Sequence, residues 1–388
     1  MSAGMSRVLV VSVEPPWPAH HGGRIRTARV AEALSRHVEV LVTFPDHGRQ
    51  QSEPPVETRP LPWSPPSAAR TRASGRPHLG GHYLAPVADS LDALCDEFRP
   101  DTVYWSHSYL AAWAPPASRR VPNIVEFANI ESRRLRTLVS SAHGWQRMAR
   151  RVEATKAGFW EPRVAARAAL CVALSQPDLD VLREWTREVV LAPNGVDIWP
   201  YHPSPADGYV LALASYDYEP NVLALRAMVR DAWPLVRAET AEARLVIAGR
   251  RSEALAPEFD AVPGVTVLGT LDDVSEVYAA AAVTVAPATT GGGAQLKLTE
   301  SMSRGRSVVM TPFAARGLPD AVRDADAYWV GDEPHSFAKA VVDALRQLPA
   351  RHARERTGWQ CCETLGWSRT VGAVVDSVAE LAGRRAAS

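Results

Sequence analysis

VTVAPATTGGGAQLKLTESMSRGRSVVMT, residues 283–311, is the stretch whose reading decides the fold. Val283-Thr284-Val285 is a β-branched run that reads as a buried strand. Ala286-Pro287 ends it, and Gly291-Gly292-Gly293 lets the backbone swing close to a ligand, because three successive residues lack a Cβ. A helix is expected from Ala294 to about Arg304, with Leu296, Thr299 and Met302 or Ser303 on its buried side. Gly305 stands where a helix C-cap belongs, and Ser307 to Thr311 reads as the next strand.

A strand, a glycine turn and a helix N-terminus form an anion site, since free backbone N–H groups and the positive end of the helix dipole point at whatever the glycines admit. Lys297 and Glu300 lie three residues apart, about 60° around that helix, so both can face one crevice. At roughly 1.5 Å per residue Glu300 stands about 10 Å from the glycine turn, near the offset between a diphosphate and a ribose diol. The spacing suits a nucleoside diphosphate. Lys297 gains weight from composition: the chain has 40 arginines and three lysines, so a cation here defaults to Arg, and an ammonium does not act as a guanidinium fork does. The competing reading is a surface helix residue paired with Glu300.

The pattern GGG-x-x-x-K-x-x-E-x-M-x-x-G resembles the donor-site signature of the GT-B glycosyltransferases of family 4, the large retaining group that uses nucleotide sugars. Further pieces match in order: Gly22-Gly23, Pro193-Asn194-Gly195-Val196-Asp197, Pro220-Asn221 and Trp367. The resemblance therefore covers nearly the whole chain. It implies an α/β fold of two Rossmann-like domains facing a deep cleft. It also implies that Gly291, Gly292, Gly293 and Lys297 hold the diphosphate with Ala294 and Gln295 beside them, and that Glu300 binds the ribose. Three departures stand out. The place where relatives carry a His near the transferred sugar holds Ala128, and the first of two glutamates separated by seven residues is replaced by Gly292. Gln295 stands where the triple-glycine branch often has Arg.

The bounds from composition agree with a soluble globular protein. At 388 residues the chain has room for two or three domains, and 46% hydrophobic content with 22% charge supports sizeable cores. A formal net charge of zero gives no field for nucleic acid. The apolar run Val8 to Val13 is too short for a signal segment or a membrane span, so a cytoplasmic protein is expected. Cys95, Cys171, Cys361 and Cys362 show no metal spacing and read as reduced structural thiols.

Along the chain, Arg7–Val13 is an apolar strand of the kind covered on both faces, followed by a proline-rich loop to Gly22-Gly23, a helix from Arg24 to His37 and a strand from Val38 to Thr43. No G-x-G-x-x-G occurs there, which disfavours a dehydrogenase. In the resembling family this glycine pair approaches the donor from the opposite domain; alternatively it is a packing turn. Arg24 beside it is a further phosphate candidate. His20 and His21 read as solvated loop residues or, for His21, an acceptor-side group. Residues 46–81 read as irregular loop with one short strand near 56–61. A helix is expected over His82–Phe98 and a strand over Thr102–Trp105, with His107 at its polar end. Asn129 and Glu131 match the H-N-x-E place of relatives, and Glu131 could equally cap or pair within the next helix.

Between Glu131 and Arg167 nine basic residues face three acidic ones, interleaved with Trp145, Met148, Phe159 and Trp160. A solvated arginine-rich face is one reading. A peripheral contact with an anionic membrane at its inner face through residues 133–167 is the other.

The domains expected are 1–200 on the acceptor side, a linker at 201–207, a donor domain at 208–366 and a helix at 367–388 that in relatives returns to the N-terminal domain. The crevice between two such domains is the default ligand site. In the second domain Arg250 could supply charge that relatives take from an Arg in the Ser215–Asn221 loop, and Leu271 lies where relatives read the base through backbone groups. The function implied is a retaining, metal-independent glycosyltransferase, with a nucleotide-diphosphate sugar as donor substrate, no cofactor and an unidentified small-molecule or glycan acceptor. The alternatives are a catalytically weak or inactive GT-B protein that binds a nucleotide sugar or a partner enzyme, and a nucleotide-sugar epimerase. The epimerase would need paired cleft carboxylates or histidines that the sequence does not offer.

Overall fold

The computed structural model describes residues 5–19, 22–48, 53–139, 142–290 and 296–386, with side chains as far as residue 381. Among these, residues before Gly195 together with those from Trp367 onward form one unit, and the residues between form another. The boundary thus falls at Asn194/Gly195, a few residues before the expected 200.

The first unit is built on seven parallel strands: β1 (Arg7–Val11), β2 (Glu39–Asp46), β3 (Thr58–Pro62), β4 (Thr102–Trp105), β5 (Asn123–Phe127), β6 (Leu170–Ala173) and β7 (Val189–Leu191). Their order is β3-β2-β1-β4-β5-β6-β7. Val8, Leu9 and Val10 pair with β2 on one side and β4 on the other, and all three are buried, which is why this strand is apolar without alternation. The chain reverses direction of travel across the sheet between β1 and β4, the switch point at which open α/β sheets place ligands.

Several expectations shift. The helix predicted over His82–Phe98 is two helices, His78–Leu84 and Ala88–Phe98, separated by a 3-10 turn at Ala85–Val87. Pro86 lacks an N–H and crowds the preceding residue, so the α-helix cannot run through it. Within 46–81 the structure adds a helix, Ala68–Ala73, to the expected strand. The final helix is broken into Trp367–Thr370 and Gly372–Ala386, the latter packing on the helix Gly22–Ser35 and on β7.

A buried polar tie joins four segments of this unit. Arg26 Nε donates to Glu126 Oε2 at 3.0 Å and Arg26 Nη1 to the Pro193 carbonyl at 2.9 Å, while the Tyr104 hydroxyl donates to the same carboxylate oxygen. Arg26 and Glu126 are each 3% exposed.

The second unit has six parallel strands: β8 (Tyr209–Leu213), β9 (Leu245–Ala248), β10 (Val265–Gly269), β11 (Ala281–Ala286), β12 (Ser307–Met310) and β13 (Tyr328–Val330). The order β10-β9-β8-β11-β12-β13 is again doubly wound, with its switch point between β8 and β11. The expected 201–207 linker is clamped onto this unit. Buried Arg351 donates to Ser204 Oγ and the Pro205 carbonyl, and Glu355 accepts from Ser204 N at 3.2 Å. Cys95, Cys171 and Cys362 are buried, which pushes each thiol up to about 12. Such thiols are inert rather than reactive.

Candidate functional site

At the second unit's switch point the loop after β8 and the helix Leu296–Ser303 after β11 come together. Gly305 ends that helix with φ +70°, its N–H donating to the Met302 carbonyl at 2.9 Å, so the expected C-cap is present. Gly249 has φ +113° at the end of β9, where a Cβ would sit 2.2 Å from the Ala214 carbonyl oxygen; only glycine lets these two strand ends close up.

Lys297 lies in the first turn of its helix and reaches across the switch point. Its ammonium donates to Asn221 Oδ1 at 3.0 Å, and Asn221 Nδ2 donates to the Ser215 carbonyl at 2.9 Å. Beneath the lysine, Leu213, Thr284, Ala286, Leu298 and Ser301 enclose a void of about 10 Å³, room for about one water. Burial pulls the Lys297 pKa down to about 8. It is a cation held where water solvates it poorly, and an anion would relieve that cost. The alternative pairing of Lys297 with Glu300 is not what the side chain does.

One turn further on, Glu300 is a third exposed, with Arg304 Nε at 3.8 Å from Oε1. Burial raises its pKa, Arg304 lowers it and Asp197 raises it again. Among the described residues this carboxylate accepts no hydrogen bond, which leaves both oxygens for hydroxyl donors. Arg304 is itself held over Trp199 and Tyr278, at 4.3 and 5.0 Å from the ring centroids. Lys297 and Glu300 therefore present a positive pole and an open acceptor on one helix face.

Arg250 reaches the same loop but is committed. Its guanidinium pairs with Asp217 at 2.6 Å and donates to Ser215 Oγ at 3.0 Å. Leu271 follows β10 and packs half-buried beside Tyr278 and Val246. Gly291, Gly292, Gly293, Ala294 and Gln295 lie outside the described residues, as do His20 and His21. The sequence marks Pro220-Asn221 and the Ser215–Asn221 loop as landmarks but assigns Asn221, Ser215 and Asp217 no contact with Lys297 or Arg250. The signal was the Pro220-Asn221 pair in the loop and helix start that follow β8, but which group it would meet depended on the fold.

In the first unit Gly22 and Gly23 open the helix Gly22–Ser35. Arg24 is not free to meet phosphate: it is buried against Glu14 at 2.8 Å and the Pro18 carbonyl. His107 caps a short helix after β4, with its Nδ1 3.0 Å from Ser106 Oγ and its ring 5.0 Å from that of Tyr109. Asn129 Nδ2 donates to Glu131 Oε1 at 3.3 Å, and Glu131 pairs with Arg134 at 2.6 Å, so Glu131 does pair within its own helix. Tyr109 is within electrostatic reach of Glu131, Arg134 and Glu14, which gathers the acceptor-side candidates His107, Asn129 and Glu131 near one buried phenol.

A larger surface depression of about 570 Å³ lies elsewhere, bordered by Gly208, Tyr209, Arg244 and Glu276. It sits at strand starts rather than strand ends, the side of an open α/β sheet that does not carry the ligand. Among the described residues no group of three or more His, Cys, Asp or Glu could hold a metal ion, and no helix is long and apolar enough to cross a membrane.

Residues 208–347 match the family model described as Glycosyl transferases group 1. Across the whole chain the structure resembles sucrose-phosphate synthase from Thermosynechococcus elongatus, with TM-score 0.73, 16% identity, and coverage of 98% of this chain and 100% of that one. The chain has the GT-B fold. α,α-Trehalose 6-phosphate synthase from Burkholderia multivorans aligns with TM-score 0.68 and 14% identity over 99% of this chain and 100% of that one. Anabaena HepE in complex with UDP and glucose aligns with TM-score 0.66 and 14% identity over 97% and 100%. No curated protein matches the sequence. The group 1 match spans β8 to β13 and so contains Lys297, Glu300 and Asn221.

Proposed function

We propose that this GT-B protein is a retaining glycosyltransferase of the family 4 type, which moves a sugar from a nucleotide-diphosphate sugar to an acceptor hydroxyl or amine. The observation that carries the reading is the Lys297–Glu300 face inside the group 1 domain: a poorly solvated ammonium for the diphosphate and, one turn away, a carboxylate that lies near Arg304 but accepts no hydrogen bond among the described residues, for the ribose hydroxyls. The UDP and glucose named for HepE supply a precedent for the donor class on this fold. Departure of the nucleoside diphosphate builds negative charge on the phosphate and positive charge on the sugar, and Lys297 stabilises the first. In front-face chemistry the leaving phosphate oxygen takes the acceptor proton while the glycosidic bond breaks and the new bond forms on the same face. Neither a protein base nor a metal is required.

The test is a panel of UDP-, GDP-, TDP- and ADP-sugars with a mixed acceptor library in the presence of EDTA, the product anomer being read by NMR. Release of one nucleoside diphosphate with retention at the anomeric carbon is expected. Inversion would refute the retaining mechanism, and loss of turnover on chelation would refute metal independence. Ala128, which leaves no imidazole after β5, favours a second reading in which the site binds donor without transferring it. Saturable donor binding with no turnover would select that reading.

A peripheral contact with an anionic bilayer through residues 133–167 belongs to the proposal. Trp145, Met148, Val152 and Phe159 are exposed along the helix Gly144–Arg167, and the segment Ser132–Val152 holds six arginines and no acid. Vesicles rich in anionic lipid should sediment the protein at low salt, and Trp145→Ser with Met148→Ser should abolish this. Equal sedimentation with neutral vesicles would contradict it.

A further inference from the structure

We propose that Asn221 is a positioning residue, holding the Lys297 ammonium over the switch point with a neutral acceptor so that its full charge and its remaining N–H donors face the donor diphosphate. This rests on the donor-site reading of Lys297.

The orientation of the amide is forced by its partners. Lys297 can only donate, so the atom at 3.0 Å must be the amide oxygen, and the Ser215 carbonyl can only accept, so the atom at 2.9 Å must be the amide nitrogen. Asn221 is also fixed through its backbone, its N–H donating to the Tyr218 carbonyl at 2.9 Å in the first turn of the helix Glu219–Ala227. Ser215 is held in turn, its hydroxyl donating to Asp217 at 2.6 Å and accepting from Arg250 at 3.0 Å. A flexible four-carbon side chain is thereby given one address, anchored to β8 and β9 from a helix that follows β11.

The chemistry selects a neutral partner. An ammonium has three donors; one on Asn221 leaves two for phosphate oxygens. A carboxylate at 221 would hold the lysine as well, but it would cancel its charge and repel the incoming anion. An apolar residue would leave the charge in place and the side chain without an aim. The charged groups nearby do not substitute: Arg250 and Asp217 neutralise each other, and Glu300 and Arg304 face one another a turn further along the helix.

The scarcity of lysine makes the contact measurable without any ligand. Lys156, Lys297 and Lys339 are the three lysines, so trace acetic-anhydride labelling with mass-spectrometric readout reports Lys297 against two internal standards. Between pH 6 and 11, wild-type Lys297 should gain reactivity with a midpoint near the value of about 8 set by burial. In Asn221→Asp the labelling at pH 8 should fall at least tenfold relative to Lys339, whereas Asn221→Ala should not lower it. Calorimetry with UDP, GDP, TDP and ADP should show at least tenfold weaker binding of the preferred nucleotide by Asn221→Asp and a several-fold loss for Asn221→Ala, with melting temperatures tracked for both. Unchanged Lys297 labelling in Asn221→Asp would overturn the proposal alone. So would altered labelling in a variant that binds the nucleotide as wild type does. If wild type binds none of the four nucleotides, the donor-site reading falls and takes the proposal with it, while the labelling still shows whether the two side chains are coupled.

Discussion

The two units share one topology and differ in what they do with their charges. Each is a doubly wound parallel sheet with a switch point beside its first strand. In the first unit the cations near that point are consumed internally: Arg24 by Glu14, Arg26 by Glu126 and Arg134 by Glu131. In the second, Lys297 is held by a neutral amide and Glu300 has no hydrogen-bond donor among the described residues. The same scaffold is thus used once with its charges satisfied and once with charges held ready, and the ready set is where the proposed donor site lies.

The largest effect should come from breaking the satisfied side. Glu126→Ala leaves Arg26 buried and unpaired, at an expected cost of ~3–5 kcal/mol and a loss of roughly 10 °C in the melting of the first unit. Scanning calorimetry would show it, and nucleotide binding below the transition should persist. Lys297→Ala does the reverse. Nucleotide affinity should fall by about 10- to 150-fold, roughly the 1.5–3 kcal/mol of a charge-assisted hydrogen bond, with stability unchanged or raised, because a poorly solvated charge has gone. Arg at 297 should recover little of this affinity, since its longer planar group does not fit an address made for an ammonium.

How much of this was legible in the sequence follows the range of the interactions. Strands β1, β11 and β12 announced themselves as apolar runs, and the Gly305 cap and the Lys297/Glu300 spacing are local to one helix. The Arg26–Glu126 tie spans 100 residues, and the clamp of Arg351 on Ser204 spans 147. Neither leaves a local pattern, and on an arginine-rich chain a buried guanidinium looks like any surface one. Pro86 is visible in the sequence, and the single helix expected over His82–Phe98 does not allow for the break it imposes. The partner of Lys297 was missed for the same reason as the long ties: Asn221 lies 76 residues away and meets it only because β8 and β11 are neighbours.

Two smaller effects sharpen the contrast through pH. The free-protein pKa of Lys297 is about 8, and a bound diphosphate raises it, so binding should be level below pH 7 and weaken as pH rises past 8. About tenfold is expected between pH 7 and 9, measured by calorimetry, and Lys297→Ala should flatten the profile. In the first unit burial raises the Glu161 carboxyl from 4.5 to about 7. A raised acid stabilises the fold below its unfolded pKa and loses that contribution as pH climbs to the folded value, so stability should drop between pH 4.5 and 7 and then level off. Glu161→Gln should accordingly match wild type near pH 4.5 and exceed it by ~1–3 kcal/mol at pH 8 in denaturant titrations.

The most direct test of the account is isothermal titration of wild type, Lys297→Ala and Glu300→Ala with UDP, GDP, TDP and ADP. The account predicts that one nucleotide binds wild type saturably, that Lys297→Ala weakens it most, and that Glu300→Ala weakens the nucleotide but not inorganic pyrophosphate. Binding that is indifferent to both substitutions, or no binding at all, would contradict a donor site at the second unit's switch point.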